Sequence, residues 1–248
     1  MASVITEMLK LRRSASWGVV LVLPVASVLG ACLLVRPTDW QLLWVRSIGF
    51  YGMALLPVSL GVLASLVWRV EHQGSNRLAL MSAPVPTWRT VAAKAAAAWL
   101  LAAVMQTVLV LSTAAVGSFF LRLPGGLPSR YLAVGLLIAV ACAPVCALQS
   151  GLSAFTRSFS VPVAIGLGLT GAGTTALLVH VPAAWLLPHA LVTRTTQIGA
   201  MSEGAALVFA ARELTWASAA ATVGTSAALC AVVVLATSVT LDRADVRA

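Results

Sequence analysis

The stretch WRVEHQGSNRLALMSAPVPTWRTVAAK, residues 68–94, concentrates charge in a chain that otherwise carries very little. It holds one acid, Glu71, near its start and a lysine, Lys94, at its end. Long segments without Asp, Glu, Lys or Arg lie on both sides of it. A Gly-Ser-Asn run at 74–76 is typical of a turn that begins a short helix. The pattern predicts a compact polar connection between two long apolar helices.

The composition indicates a membrane protein. Of 248 residues, 60% are hydrophobic and only 9% are charged, whereas soluble domains carry about 25% charged residues. A soluble fold of this length could not bury so much apolar surface, so we expect lipid to be its solvent. The net charge of +9 is spread beside apolar runs rather than gathered in a basic patch with aromatics. This pattern favours membrane topology and anionic lipid over nucleic-acid binding.

Six segments contain no charged residue and are long enough to cross a hydrocarbon core of about 30 Å. They are residues 17–35, 47–68, 95–121, 131–155, 158–179 and 216–240. Backbone groups in lipid must pair within their own segment, so each is expected to be a helix. The predicted fold class is an all-α integral membrane protein with one transmembrane domain over residues 1–248.

The distribution of basic residues predicts the direction of the spans. With the N-terminus inside, ten of the sixteen Lys and Arg residues fall on the cytoplasmic side and six on the outer side. Because basic residues are enriched in cytoplasmic loops, we expect both termini to be cytoplasmic. Residues 68–94 then also face the cytoplasm.

Two further segments are predicted to lie at the membrane surface. Apolar residues recur at helical spacing in the first ten residues, among Glu7, Lys10, Arg12 and Arg13. They predict an interfacial helix before the first span, with a disordered basic tail as the alternative. Residues 180–213 are mostly apolar, but the uncharged run 158–193 is too short for two full spans of about 20 residues each. They predict two short helices that lie in the outer interface or dip partly back in, with a single membrane-hugging loop as the alternative.

Several residues and motifs that often mark a functional site do not do so in this sequence. A G-x-G-x-x-G match at 166–171 lies inside an uncharged span, where no dinucleotide-binding strand can precede it, so it indicates helix packing. The four cysteines all lie in spans and are interpreted as small buried hydrophobes. No G-x-x-x-x-G-K-[ST] sequence occurs, so the chain is not expected to bind ATP itself.

The spans offer few groups for ion-driven transport. Gln106 and Gln149 are the polar residues expected along a pathway, beside a few Ser and Thr. Transporters driven by ion gradients usually place ionisable residues at membrane depth. The driving force is therefore expected to come from a partner that hydrolyses ATP.

The segment after Glu71 is predicted to form a two-turn helix. It would expose the apolar side chains of Leu78, Leu80 and Met81, and such a patch requires a partner or the membrane. Glu71 could accept hydrogen bonds from backbone amides of the turn, or pair with Arg69 or Arg77. The alternative is a solvated connector whose charges only fix topology.

At these residues the chain resembles a known family. An acid after the second span, a glycine turn, a Leu-x-Leu helix, Pro-Val and a lysine opening the third span follow in order. Together with EMLKLRRS before the first span, they resemble the ABC transporter export permeases of the six-helix drug, polysaccharide and lantibiotic class. The chain is most similar to the lantibiotic-immunity permeases.

The resemblance implies roles for particular residues. It implies an elbow helix that includes Glu7, Leu9, Lys10 and Arg12. It also implies an ATPase-coupling loop that includes Glu71, Gly74, Arg77, Leu78, Leu80, Met81 and Pro84. The permease would work as a homo- or heterodimer on ATP-binding cassette subunits, which would bind ATP and Mg. The chain itself is expected to have no catalytic, cofactor-binding or metal-binding residues.

The resulting hypothesis is a non-catalytic, multi-pass permease subunit of an exporter in the bacterial cytoplasmic membrane. The expected substrate is amphipathic: a lantibiotic-type peptide first, then a drug or a lipid, with a role in lantibiotic immunity or antibiotic resistance. Two alternatives come from other classes. One is a membrane scaffold that recruits a cytosolic complex, and the other is an intramembrane enzyme, which the lack of a catalytic constellation disfavours.

Overall fold

The structure, a computed structural model, describes residues 4–33, 36–69, 71–72, 85–156, 158–198 and 214–245. Within these residues the regular secondary structure is entirely helical, which confirms the all-α fold class. Six continuous helical stretches of the described residues, the second of them Trp40–Arg69, are long and apolar enough to cross a membrane. The prediction of six membrane-capable helices is therefore confirmed, while their direction across the membrane stays a prediction.

The elements are labelled in chain order. Before and within the first two spans they are α1 (Val4–Lys10) with a 3-10 turn (Leu11–Arg13), α2 (Ser16–Leu33), α3 (Trp40–Phe50), a π-helical turn (Tyr51–Leu55) and α4 (Leu56–Arg69). They continue with α5 (Thr87–Ala115), a π-helical turn (Val116–Phe120), α6 (Ser129–Phe155), α7 (Ser160–Leu178), a 3-10 turn (Ala184–Leu186), α8 (Pro188–Thr196) and α9 (Trp216–Asp245).

Two spans begin earlier than the charge pattern predicts. The second begins at Trp40 rather than residue 47, because the Asp39 side chain accepts a hydrogen bond from the Leu42 N–H (2.8 Å) and caps the helix. The third begins at Thr87 rather than residue 95. A charged residue within a helix does not end it, and Lys94 lies two turns inside α5.

The centre of the bundle is formed by α4 and α6, whose side chains are mostly buried, while α9 is mostly exposed. Tyr131 at the start of α6 stacks on Trp44 of α3, with ring centroids 5.0 Å apart. Large apolar side chains such as Leu136 and Val232 point outward. This inside-out surface fits a bundle surrounded by lipid.

One end of the bundle, called the α1 face, carries α1 and the contacts between several helix ends. There the turn after α4 reaches the end of α6, since His72 Nε2 donates to the carbonyl of Ser153 (2.7 Å). The start of α5 reaches the end of α9 through a hydrogen bond from Thr87 to Asp242. The prediction of a cytoplasmic loop at 68–94 would make the α1 face cytoplasmic.

Glycines allow close helix contacts on one side of α7. A Cβ on Gly166 would lie 2.3 Å from the amide nitrogen of Gln149, and one on Gly173 would lie 3.0 Å from the backbone of Ala190. Gly168 and Gly171 have no such neighbour within 4 Å. The packing interpretation of the G-x-G-x-x-G match thus holds for the inward-facing glycine of the match, Gly166.

The segment after α7 turns back into the bundle. Helix α8 is buried, with His189 3% and Ala190 0% exposed. His189 contacts Gln149 of α6 (Nε2 to Nε2, 3.4 Å), and Thr196 packs against Gly52 in the second span. Of the two predicted short helices, the first corresponds to α8, which dips into the bundle rather than lying in the outer interface. The other prediction, after residue 198, lies outside the described residues.

Candidate functional site

Four charged side chains form a closed ring on the α1 face, called the charge cluster. Glu7 and Lys10 come from α1, Glu71 from the turn after α4, and Lys94 from α5. The Lys10 ammonium lies 2.9 Å from Glu7 Oε1 and 2.8 Å from Glu71 Oε1. The Lys94 ammonium lies 2.9 Å from Glu7 Oε2 and 3.1 Å from Glu71 Oε1. Each lysine therefore bridges both carboxylates.

The charge cluster is largely removed from solvent. Lys94 is 0% exposed, Glu7 4% and Glu71 5%, whereas about a third of the Lys10 side chain is exposed. Two positive and two negative charges balance, which is the condition for keeping ionised groups buried. Removing one member leaves an unpaired charge in a place where water cannot easily reach it.

Local structure sets each member in position. Glu7 and Lys10 are three residues apart on α1, so both point to the same side of that helix. Glu71 is held in a turn by a hydrogen bond from its N–H to the Trp68 carbonyl (3.0 Å). The Lys94 ammonium also lies 3.5 Å from the Val67 carbonyl, in the last turn of α4. A cation is favourable at that helix end, where carbonyls lack partners.

Trp68 joins the charge cluster to α6. Its ring centroid lies 4.9 Å from the Lys94 ammonium, in cation–π contact, and its indole N–H donates to Ser150 Oγ (2.7 Å). The Trp68 side chain is 4% exposed and packs inside the bundle. The charge cluster therefore connects α1, the turn after α4, α5 and α6.

The environment shifts two pKa values in the directions that keep the charges. Burial opposes ionisation of Glu71, but hydrogen bonds and attraction from Lys10 and Lys94 outweigh it and lower the pKa of Glu71. Burial likewise opposes the Lys10 charge, but Glu71 and Glu7 outweigh it and raise the pKa of Lys10. Both groups are therefore ionised at neutral pH.

These pKa directions predict how stability depends on pH. The contribution of Glu71 is present above its usual pKa of 4.5 and is lost as the pH falls through its lowered value. The contribution of Lys10 is present below 10.5 and is lost as the pH rises through its raised value. We expect the difference in Tm between the parent and Glu71→Gln to be constant near neutral pH and to shrink below about pH 4.5. Thermal unfolding of both chains in the same detergent measures this, and an unchanged difference down to pH 3 would contradict it.

The structure brings together part of the predicted elbow and coupling residues. Glu7 and Lys10 meet Glu71, but the partners of Glu71 are Lys10 and Lys94 rather than Arg69, which is exposed. Leu9 and Arg12 are exposed on the outside of the N-terminal segment. The remaining predicted coupling residues lie outside the described residues: Gly74, Arg77, Leu78, Leu80, Met81 and Pro84.

The two predicted pathway residues lie inside the bundle. Gln106 is 2% exposed and donates to the Tyr51 hydroxyl (2.9 Å), and Gln149 is 0% exposed between α4, α7 and α8. The side-chain amide oxygen of each glutamine has no protein partner within the described part of the chain. Their role along a transport path stays a prediction.

Lys94 is the member of the charge cluster to which the sequence assigned no pairing role. The signal was present, since the chain has sixteen basic residues and only two of them, Lys10 and Lys94, are lysines. Both contact the same two carboxylates. Lysine suits this place because one compact ammonium can bond to two carboxylates and a carbonyl at once.

Comparison with known proteins gives one match. Residues 3–173 match the family model described as ABC-2 family transporter protein. No curated protein and no solved structure matches. The matched residues include all four members of the charge cluster and end within α7.

Proposed function

The chain belongs to the ABC-2 family of transporter proteins, and from this premise we propose that it exports an amphipathic substrate by means of the charge cluster. Membership and six membrane-capable helices make it a membrane-embedded permease subunit. Such a subunit works with an ATP-binding subunit. The substrate class we propose is a lantibiotic-type peptide, a drug or a lipid, and the working unit is a dimer of permease chains.

The observation that carries the proposal is the position of the charge cluster relative to residues 73–84. That segment starts two residues after Glu71 and returns at α5, which carries Lys94. The turn before the segment and the helix after it therefore each carry one member of the charge cluster. We propose that the segment contacts the ATPase, because the sequence predicts a short helix there whose apolar side chains, Leu78, Leu80 and Met81, need a partner.

The ring then provides a mechanical connection. A displacement of residues 73–84 pulls on Glu71 and on α5 together, and the ion pairs pass the movement to α1. The hydrogen bonds from Trp68 and His72 pass it to the end of α6. Charge-assisted hydrogen bonds of this kind contribute about 1.5–3 kcal/mol each, enough to move the connected helices as one unit.

The ATPase partner gives the first test. The purified chain in lipid should release no phosphate from ATP, and addition of its ATP-binding subunit should produce hydrolysis that depends on the complex. The reason is the lack of a phosphate-binding loop in the sequence. Phosphate release is measured for each chain alone and for the pair. Hydrolysis by this chain alone that a mutation in it abolishes would contradict the proposal.

A further inference from the structure

An apolar groove of about 590 Å³ runs along the outside of the bundle where α9 meets α5 and α6. Small side chains leave it open: Ala92 and Ala96 of α5, Ala143 of α6 and Ala231 of α9. A larger residue at these positions would fill the gap, as side chains do elsewhere between these helices. In a membrane an open apolar groove must hold something apolar.

The groove begins at the start of α5, on the α1 face, and follows that helix over about three turns. Its α5 wall runs from Trp88 to Trp99, eleven residues or about 16 Å at 1.5 Å per residue. This is about half of a hydrocarbon core of about 30 Å. The Trp99 indole marks the deep end and donates to the carbonyl of Ala139, near the middle of α6 (2.8 Å). A helix from a second copy would need contact along the whole span, so the length fits one lipid tail better.

The mouth of the groove carries groups that favour an anion. Trp88 is half exposed there, and the guanidinium of Arg89 lies 5.4 Å from the centre of its ring. Arg243 is exposed near the end of α9, while Asp242 beside it accepts a hydrogen bond from Thr87. The first N–H groups of α5 lie at the same level, and its N-cap, Pro86, supplies no side-chain acceptor. Basic side chains, a helix N-terminus and an interfacial tryptophan together suit a lipid phosphate.

We propose that this groove binds one acyl chain of an anionic phospholipid from the leaflet on the α1 face, with its phosphate beside Arg89. The apolar walls hold the tail and the basic mouth selects the headgroup. The groove uses side chains of α5 other than Lys94, so it shares no residue with the charge cluster. Its binding does not depend on transport or on the ATPase.

Native mass spectrometry of the full chain in detergent tests the proposal. Phosphatidylglycerol and phosphatidylcholine with identical tails are supplied together, and we expect one phosphatidylglycerol retained per chain. Ala96→Leu and Ala231→Leu each occupy tail volume and should lower retention of both lipids about tenfold. Ala236→Leu is the matched control, because Ala236 is an exposed alanine of α9 that does not line the groove.

Arg89→Gln separates the headgroup from the tail. It should reduce the preference for phosphatidylglycerol about fivefold and leave retention of phosphatidylcholine unchanged. Because Arg89 is exposed, this variant is expected to fold. The test therefore does not depend on Ala96→Leu and Ala231→Leu alone. Equal lipid preference in Arg89→Gln and the parent would overturn the headgroup assignment.

Two results would overturn the tail site. One is parental lipid retention by both Ala96→Leu and Ala231→Leu. The other concerns Cys230, which lines the groove: efficient oxidative cross-linking of Cys230 between two copies in membranes would place a second chain in the groove instead of a lipid.

Discussion

Replacing Lys94 with methionine should destabilise the folded chain by about 3–5 kcal/mol, the range for breaking a buried ion pair by removing one partner. The fully buried ammonium bonds to Glu7 and Glu71 and touches the Val67 carbonyl and the Trp68 ring. Methionine fills much of the same volume but leaves two carboxylates to share Lys10, which is partly exposed. Thermal or denaturant unfolding in detergent measures the loss.

A second substitution distinguishes charge from packing. Adding Glu7→Gln to Lys94→Met removes the buried pair as a whole and leaves Lys10 with Glu71, so the remaining charges balance. We expect the double variant to recover more than half of the lost stability, because the cost comes mainly from the unpaired charge. Arg12→Met is the control for loss of an exposed cation nearby and should change stability by about 0.5 kcal/mol or less. No recovery in the double variant would show that Lys94 acts through packing alone.

The fold could be predicted from the sequence largely because lipid imposes a simple rule. A segment must be about 20 residues long, apolar and helical to cross the membrane, and that information is local. The fourth span, residues 131–155, is accordingly close to the observed Ser129–Phe155. The rule marks where charge begins, however, and not where a helix begins.

The wrong start of the third span has a physical cause. The sequence places Lys94 at the border of a span because a lone lysine in lipid is unfavourable. Its partners Glu7 and Glu71 are 87 and 23 residues away in sequence, and only the folded chain brings them within 3.1 Å. Pairing over such distances cannot be read from one sequence. The choice of lysine at residues 10 and 94, among fourteen arginines, was the available hint.

Part of the charge cluster could be predicted, because some of its members stand out in the local sequence. Glu71 is an isolated acid between two apolar segments, and a carboxylate in that position needs a specific partner. Glu7 and Lys10 lie among apolar residues at helical spacing, and the family resemblance implies that they belong to the elbow helix. Tertiary structure adds the contact between them, and with it a physical reason for these charges to lie so near the membrane.

Glu71→Gln should uncouple ATP hydrolysis from transport without unfolding the chain. Glutamine keeps the size of the side chain, but it cannot balance the two lysines that now bond to Glu71 Oε1. Lys94 retains Glu7 (2.9 Å), and Lys10 can turn its ammonium toward water, so the helices stay assembled. The turn that leads into residues 73–84 then loses its ionic attachment to α1 and α5.

With the ATP-binding subunit in proteoliposomes, we expect hydrolysis within about twofold of the parent and transport per ATP reduced about tenfold or more. Loss of either of the two charge-assisted hydrogen bonds to Glu71, about 1.5–3 kcal/mol, is already enough for such a factor. Asp39→Asn is the matched control, since it also converts a carboxylate to an amide. Asparagine caps the start of α3 as well as aspartate does, and Asp39 is not a member of the charge cluster. If Glu71→Gln transports as the Asp39→Asn control does, the charge cluster only fixes the fold of the α1 face, and force reaches the spans by another route.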